Sequence, residues 1–455
     1  MSVVELRKPE VQPELASELR RGVAAAQAPD FETLAARFRP IFSRIAEDAV
    51  TREIERRLPH EEVKWLSDAG FGALRIPVDE GGSGASLPQL FRLLIELGEA
   101  DPNLVQILRA HFAFVEIRLN TEEPDIRQQW FERIAAGQLV GAAMAERTSA
   151  TETTLALVRD GEHYRLTGKK YYCTGTLYAD WVSAAAKDEA TDERVSVLVP
   201  TRDPGVTRID DWDGFGQRLT GSGTTAFENV LVREEQILRR FNPGEARADS
   251  YLTAFYQQFH LAALTGIARA VRRDAIAFVQ AKTRSFGVPG HSEPRNDPLV
   301  QRVVGKIASQ VFAAEAIVES VSQGLQAAYE SWLSGNTDDE IFAEADRRAY
   351  QGQQVLVPLV PEIASLLFEV GGSSATQEAR RLDRHWRNAR VLGSHNPAIA
   401  RERLLGDHYL NGVSFNAVWA DLWKKAEDDK AQAAVEAESE AVSDSVELVR
   451  EGVTS

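Results

Sequence analysis

The chain has 455 residues, 44% of them hydrophobic and 26% charged, which is enough to bury one large core or a few smaller ones. Its formal net charge of −16 argues against nucleic acid as a partner, and its single cysteine, Cys173, excludes an intramolecular disulfide framework and a cysteine-based metal site. It contains no run of about 18 apolar residues and no basic-then-apolar leader, so we expect a cytoplasmic protein without a metal or a membrane span.

The first regular pattern covers residues 31–137 and predicts an N-terminal helical domain. Its opening apolar residues recur every three or four positions, the spacing of one helix face: Phe31, Leu34, Phe38, Ile41 and Ile45. Pro40 falls inside this stripe and predicts a kink or a new start of the helix. Residues 1–30 lack a sustained period and predict a flexible lead-in.

The pattern changes to strands over residues 138–240. Short β-rich or alternating runs such as "RVSVLVP" and "GTTAFENVLV" are separated by Gly, Asp and Pro. This pattern is typical of an antiparallel sheet or a small barrel. We therefore predict a central β-barrel domain.

Helical spacing returns over residues 241–420 and predicts a C-terminal helical bundle. The longest apolar stripe runs from Leu299 to Leu325 at three- and four-residue steps. Residues 421–455 are acidic, rich in Ala, Ser and Glu, and lack aromatic residues. They predict a disordered or weakly helical tail.

The segment "LTGKKYYCTGTLYADW", Leu166 to Trp181, resembles the middle-domain motif of the acyl-CoA dehydrogenase superfamily. Further segments resemble motifs of the same family in the same order: "IPVDEGGSGAS", "MAERTSA", "TRSFGVP", "FEVGGSSAT" and "RNAR". The resemblance covers about residues 31–420. It implies a mainly α fold in which a β-barrel separates an N-terminal helical domain from a C-terminal helical bundle.

The same resemblance implies a flavin site. The aromatic ring of Tyr172 would stack against the flavin, and the hydroxyl of Thr174 would face its N5 edge; Arg284 and Phe286 would reach a flavin bound mainly by another subunit. A planar cofactor needs an aromatic wall and a few hydrogen-bond donors. The implied cofactor residues are Met144, Ala145, Glu146, Tyr172, Cys173, Thr174, Arg284, Phe286, Gly371, Gly372, Arg390, His395 and Asn396.

The segment "RNARVLGSHNP" departs from the dehydrogenase pattern. Dehydrogenases of this family use a carboxylate base in the loop after the Arg-Asp-Ala-Arg motif, whereas no acid stands between Arg390 and His395, and Glu402 comes only later. The segment instead resembles the flavin-dependent monooxygenase branch, which includes dibenzothiophene monooxygenase. In that branch histidines at the positions of His395 and His111 lie beside the flavin.

The resemblance to this branch implies a two-component enzyme. A separate NAD(P)H:flavin reductase would supply reduced FMN, or FADH2, and O2 would form a C4a-(hydro)peroxyflavin that oxygenates sulfur or nitrogen of a small substrate, with sulfur favoured. His395, His111 and Thr174 are the candidate catalytic residues. The family further implies a homotetramer or homodimer.

Three alternatives remain open from the sequence. The first is an acyl-CoA dehydrogenase or oxidase whose base has been relocated. The second is an amine or amino-sugar N-hydroxylase, and the third is an inactive scaffold that keeps the fold. For Cys173 and His260, packing inside the fold is the favoured interpretation.

Overall fold

The structure is a computed structural model that describes residues 29–121, 123–147, 154–241, 251–282, 293–335 and 339–415. The predicted acidic tail over residues 421–455 lies outside these ranges, as does the predicted lead-in except for its last two residues.

Helices fill the N-terminal region. They are α1 (Phe31–Glu47), α2 (Ala49–Glu55), α3 (His60–Asp68), α4 (Leu87–Ala100), α5 (Pro102–Leu119) and α6 (Pro124–Ala135). The carboxylate of Asp30 caps α1 by accepting from the backbone N–H of Thr33. Pro40 lies inside α1 without ending it, and the predicted apolar face packs inward through Phe38 and Ile45.

A sheet follows, with strands β1 (Val140–Ala143), β2 (Ala156–Asp160), β3 (His163–Lys170), β4 (Trp181–Asp188), β5 (Arg194–Pro200), β6 (Val206–Arg208), β7 (Thr225–Val232) and β8 (Ile237–Phe241). The strand order is β6-β7-β3-β2-β4-β5-β8, and β1 pairs in parallel with β4. Most of the other pairs are antiparallel.

The predicted β-barrel was wrong. Within the described residues, the end strands β6 and β8 pair only with β7 and β5, so the sheet stays open. Closure needs the two end strands to hydrogen-bond to each other, and the three residues of β6 offer few backbone groups for that. Alternation along a strand predicts which face is buried; it does not predict which strands meet at the edges.

The C-terminal helices are α7 (Leu252–Gln280), α8 (Pro298–Leu333), α9 (Asp339–Gly371), α10 (Asp383–Gly393) and α11 (Ala398–Asn411). The stripe predicted for α8 is buried at Ile307, Val311, Val321 and Leu325, but its first residue, Leu299, is 73% exposed. The apolar stripe of α8 therefore includes surface that stays exposed in the single chain.

One hydrophobic core joins the two helical regions, and the sheet has a smaller core of its own. Helices α4 and α7 pack closely where they cross, since a Cβ added at Gly266 would lie 2.5 Å from the carbonyl carbon of Gly98. Two glycines therefore permit the close approach of these helices. The consequence is a rigid helical body against which the sheet is placed.

The segment Glu340–Thr376, which includes nearly all of α9, is long and apolar enough by composition alone to cross a membrane. The sequence had indicated no such segment, because Pro358, Pro361 and two glutamates interrupt the apolar run. In the fold α9 packs against α7 and α8 as part of the bundle, yet only 39% of its most apolar window is buried within the chain.

Candidate functional site

A strained turn after β3 carries the first group of predicted site residues. Tyr172 has φ of +60°, a left-handed conformation that is unusual for an aromatic residue and that often marks functional positions. Its side chain is 51% exposed. Next to it Cys173 is fully buried, and burial raises the pKa of its thiol to about 11. Tyr172 therefore presents an aromatic ring to solvent, and Cys173 packs in the sheet core.

Thr174 belongs to a chain of hydroxyl groups. Its Oγ1 lies 2.7 Å from the Oγ of Ser222, which in turn lies 2.7 Å from the Oγ1 of Thr220. On the other side of the turn, the ring of Trp212 lies 6.1 Å from that of Tyr172 at a steep angle. The turn thus combines an aromatic surface with hydroxyl groups that can be oriented as hydrogen-bond donors. A flat cofactor with polar edges requires both.

The segment after β1 lies beside this turn. Met144 is 38% exposed, and Ala145 forms a bridge with Tyr171. The carboxylate of Glu146 accepts hydrogen bonds from the buried ammonium of Lys170 and from Thr154. Burial opposes ionisation of Glu146, but these donors outweigh it and lower its pKa. Met144 is thus exposed beside the turn, whereas the charge of Glu146 is used inside the fold.

The turn rests on helix α5. A Cβ at Gly175, whose φ is +84°, would lie 2.7 Å from the carbonyl oxygen of Ile107, so only glycine permits this approach. Of the 18 residues of α5, 14 are buried. Arg109 and Ala110 form the partly accessible stretch in the middle of the helix. The accessible part of α5 therefore begins next to the Thr174 turn.

His395 reaches the same stretch of α5 from the turn between α10 and α11. Its Nε2 lies 3.1 Å from Nη2 of Arg109, and its Nδ1 lies 3.2 Å from Oδ1 of Asn396. A guanidinium has no acceptor atom, so Arg109 donates to Nε2. The proton of the neutral ring then stands on Nδ1 and is donated to Asn396. These contacts fix one tautomer of His395.

The same network fastens the turn to the bundle. The amide nitrogen of Asn396 donates to Oε1 of Gln257 at 2.8 Å, which also accepts from Arg401. Gln353 donates to the carbonyl oxygen of Asn396 at 3.1 Å. These hydrogen bonds hold the amide of Asn396 in one orientation.

The His395 ring is exposed at one side and desolvated by the protein around it. This desolvation, together with the positive charge of Arg109, lowers the pKa of His395 to about 3. No carboxylate contributes to that shift. Glu402, the nearest acid later in the sequence, lies exposed on α11. Near neutral pH, His395 is therefore an uncharged ring.

His260 on α7 is the neighbour that the sequence assigned to packing. It is 2% exposed, and its ring centroid lies 4.3 Å from that of His395. Its Nε2 has no hydrogen-bond partner among the described residues. Burial, followed by the nearby positive groups, lowers its pKa well below the ordinary value. A buried polar atom without a partner is costly, so the Nε2 of His260 is available to a ligand beside His395.

His111 has a different environment. Its Nε2 donates to the carbonyl oxygen of Gly72 at 2.9 Å, and its Nδ1 accepts from the backbone N–H of Val140 at 3.3 Å. The side chain is 1% exposed, and burial lowers its pKa to about 4. Both ring nitrogens are thus used to join α5 to the start of the sheet. This geometry favours a structural role over the predicted catalytic one.

The "RNAR" segment forms part of α10, and its first two residues make the contacts. Arg387 donates to Glu53 and to the carbonyl oxygen of Phe215, both at 2.8 Å. Oδ1 of Asn388 accepts from the backbone N–H of Gln217 at 2.6 Å. Arg390, the predicted cofactor contact, is exposed. The motif therefore clamps the loop between β6 and β7, which carries Trp212 and Ser222, onto the bundle.

Of the remaining predicted cofactor residues, the structure describes Gly371 and Gly372. Gly371 ends α9, and Gly372 follows with φ of +58°. The ammonium of Lys282 donates to the carbonyl oxygen of Gly371 at 2.8 Å, so this turn caps the helix. Arg284 and Phe286 lie outside the described residues.

Sequence reasoning missed the partner of His395. Arg109 was not singled out, although a charged residue in the otherwise apolar run "LVQILRAHFAFV" was a signal. Ser222 and Trp212 were missed as well, because they reach Thr174 and Tyr172 only through the folded loop between β6 and β7.

Three family models match this chain in order. The N-terminal, middle and C-terminal domains of acyl-CoA dehydrogenase match residues 30–138, 143–230 and 259–398. Among solved structures, the FMN-bound TdsC of Paenibacillus sp. A11-2 aligns with a TM-score of 0.77 at 25% identity, over 84% of this chain and 98% of TdsC. The methanesulfinate monooxygenase MsuC of Pseudomonas fluorescens aligns with a TM-score of 0.76 at 27% identity, over 84% and 97%.

Curated relatives are similar over most of their length. The probable FMNH2-dependent monooxygenase SfnC of Pseudomonas putida is 27% identical over 82% of this chain and 93% of its own. The dibenzothiophene monooxygenase of Mycolicibacterium goodii is 26% identical over 77% and 87%. With all three domain models matched in order, the chain belongs to the acyl-CoA dehydrogenase family.

Proposed function

We propose that this chain is the oxygenase of a two-component flavin-dependent monooxygenase, which oxygenates sulfur in a small organic substrate. One observation carries the proposal: a neutral histidine, His395, held by Arg109, stands where a dehydrogenase of this family needs a carboxylate base. The names of SfnC, TdsC and MsuC support FMN as the cofactor and sulfur as the favoured atom.

The residues around the Thr174 turn fit a flavin. The exposed ring of Tyr172 offers a stacking surface, and the hydroxyl groups of Thr174 and Ser222 offer donors to a polar ring edge. When bound, reduced flavin supplies the electrons that activate O2. The protein's part is to hold the ring and to exclude water from it. We assign these tasks to Tyr172, Thr174 and the loop between β6 and β7.

His395 holds a proton at a defined atom. In the tautomer fixed by Arg109 and Asn396, Nδ1 carries the proton and Nε2 accepts. A neutral imidazole next to a guanidinium can take up a proton at Nε2 only if Arg109 moves away. We therefore assign to His395 a proton transfer near the flavin edge that takes place only when Arg109 has moved away. Asn396 orients the His395 ring. We assign His111 to positioning α5 against β1.

Oxygenation of nitrogen is a second candidate. The L-evernosamine nitrososynthase of Micromonospora is 27% identical over 78% of this chain and 84% of its own. Its name supports an amino group as the atom that receives oxygen. A small amine therefore belongs among the first substrates to be tested.

The chain also needs partners. We propose a separate flavin reductase that delivers reduced FMN by diffusion, and a cytoplasmic location for both proteins. We further propose a homotetramer or homodimer formed through the bundle. Phe312 on α8 is 71% exposed and Val355 on α9 is 46% exposed, which are large values for apolar side chains of long bundle helices. Packing against a second copy would remove this surface from water.

One pair of reactions tests the proposed function. In the first, the protein with oxidised FMN or FAD is mixed anaerobically with a set of acyl-CoA thioesters, and flavin absorbance is followed; we expect no bleaching. In the second, a flavin reductase with NADH is added in air with methanesulfinate, dibenzothiophene or a primary amine. We expect an oxygenated product that depends on the reductase. Bleaching by an acyl-CoA would instead identify a dehydrogenase whose base has been relocated.

A further inference from the structure

Arg109 carries a charge at a partly buried position and has no carboxylate partner among the described residues. Its described contacts are the Nε2 of His395 at 3.1 Å and the ring of Tyr256, whose centroid lies 5.0 Å from the guanidinium carbon. Two other buried arginines are paired with carboxylates. Arg52 pairs with Glu62 and Asp101, and Arg75 pairs with Glu116. Arg109 differs from these two in lacking a carboxylate partner among the described residues.

The protein around Arg109 desolvates its guanidinium. This desolvation lowers the pKa of the guanidinium below the ordinary value, and no carboxylate among the described residues opposes that shift. A buried charge that stays unpaired destabilises the fold. An anion from outside the chain would remove this cost. Arg109 lies in the partly accessible stretch of α5, so such an anion has a route to it.

The neighbours of Arg109 also lack negative charge. His395 and His260 lie side by side, and the buried Nε2 of His260 has no partner in the described part of the chain. Arg401 donates to the amide oxygens of Gln257 and Gln353. The group formed by Arg109, His260, His395 and Arg401 therefore offers positive charge and hydrogen-bonding capacity to a ligand.

We propose that Arg109 binds the oxyanion of a small organic substrate, a sulfinate, sulfonate or carboxylate, beside His395. This inference rests on the proposed function and names the chemical class of its substrate. The planar guanidinium can offer two parallel N–H donors to two oxygens of one group. A sulfinate combines the charge and the oxidisable sulfur in one group, which would place that sulfur next to the His395 ring.

A second oxyanion could occupy the same donors, namely the phosphate of reduced FMN. The substrate oxyanion and the FMN phosphate would both accept hydrogen bonds from the guanidinium. Binding measurements distinguish the two ligands. The probe for the substrate is trifluoromethanesulfinate, followed by 19F NMR line broadening with the flavin-free protein. The neutral comparison is trifluoroethanol. The probe for the phosphate is FMN, titrated against riboflavin, which lacks that group.

The variants are Arg109→Gln, Arg109→Lys and the control Arg202→Gln, whose side chain in the native protein is 87% exposed. We expect Arg109→Gln to weaken trifluoromethanesulfinate binding by about tenfold to a hundredfold, the range for a lost charge-assisted hydrogen bond. Arg109→Lys should keep part of the affinity, and Arg202→Gln should keep all of it. Trifluoroethanol should show no dependence on Arg109, and the ratio of FMN to riboflavin affinity should not change.

Two results would overturn the inference. One is equal binding of trifluoromethanesulfinate to native protein and to Arg109→Gln. The other is a loss of FMN affinity in Arg109→Gln that riboflavin does not share, which would assign the donors to the flavin phosphate. Thermal unfolding of each variant shows that it is folded. These measurements use no turnover, so a failure of the monooxygenase reaction itself would be seen separately.

Discussion

Replacing Arg387 by Ala tests the clamp between α10, the N-terminal helices and the loop that carries Trp212. Arg387 donates to Glu53 at 2.8 Å and to Asp383 at 2.7 Å. The Glu53 side chain is 3% exposed and that of Arg387 is 17% exposed, so the pair is largely removed from solvent. After the change, Arg218 at 3.6 Å is the one cation left near the Glu53 carboxylate among the described residues.

The magnitude follows from this geometry. Removing one partner of a buried ion pair costs about 3–5 kcal/mol. Because Arg218 stays and Arg387 is partly exposed, we expect a loss of about 2–3 kcal/mol in the free energy of unfolding. Denaturant titration at fixed protein concentration measures it. The matched control is Arg380→Ala, which removes an exposed hydrogen bond to Gln377 and should change stability by less than about 0.5 kcal/mol.

A double-mutant cycle identifies the cause. If the cost of Arg387→Ala comes from the stranded carboxylate, Glu53→Gln should recover part of it in the double variant, with a coupling above about 1 kcal/mol. Flavin affinity should fall together with stability in Arg387→Ala, since the clamped loop carries Trp212 and Ser222. Additive effects of the two changes, or a loss below about 1 kcal/mol, would refute this account of Arg387.

Three further predictions concern the turn, the helix crossing and a buried histidine. Tyr172→Ala should weaken FMN binding by about three- to tenfold through the lost stacking surface, and unchanged quenching of FMN fluorescence would contradict that role. Gly266→Ala should destabilise the protein by about 1–3 kcal/mol, because its Cβ would lie 2.5 Å from Gly98; Gly305→Ala, which meets nothing within 4 Å, should be neutral or stabilising. The pKa of His111 is about 4 in the folded chain, against an ordinary value of 6.5. As pH falls below 6.5 the unfolded chain takes up the proton first, so His111 alone should lower the free energy of unfolding by up to about 3 kcal/mol between pH 6.5 and 4. The pKa values of His260, His385 and His395 are lowered as well, so His111→Gln should reduce the slope without abolishing it; an equal slope in denaturant titrations would disprove the assignment.

The sequence was sufficient for the helices, because apolar residues at three- and four-residue steps report the buried face directly. It also showed directly that no acid stands between Arg390 and His395, but it did not predict the left-handed conformation of Tyr172. It failed on the barrel, since closure depends on pairing between β6 and β8, which no local pattern encodes. It also missed Arg109, because the contact with His395 joins residues 286 positions apart.

The histidines His111, His260 and His395 also show that contacts between distant elements could not be predicted from the sequence. From the sequence, His111 and His395 were both candidates and His260 was assigned to packing. The fold gives His111 two backbone partners, whereas the Nε2 of His260, next to His395, has no partner in the part of the chain that the structure describes. The number of partners at each ring nitrogen depends on neighbours from other elements, so it could be known only from the folded chain.

We propose that the His395 region controls the reaction of reduced flavin with O2. The most direct measurement mixes the protein and reduced FMN with O2 in stopped flow, while oxidised-flavin absorbance and H2O2 release are followed together. The account predicts a delayed, two-phase return of oxidised flavin that His395→Ala shortens while FMN affinity stays the same. A single-phase reoxidation as fast as that of free FMN, unchanged by His395→Ala, would contradict it.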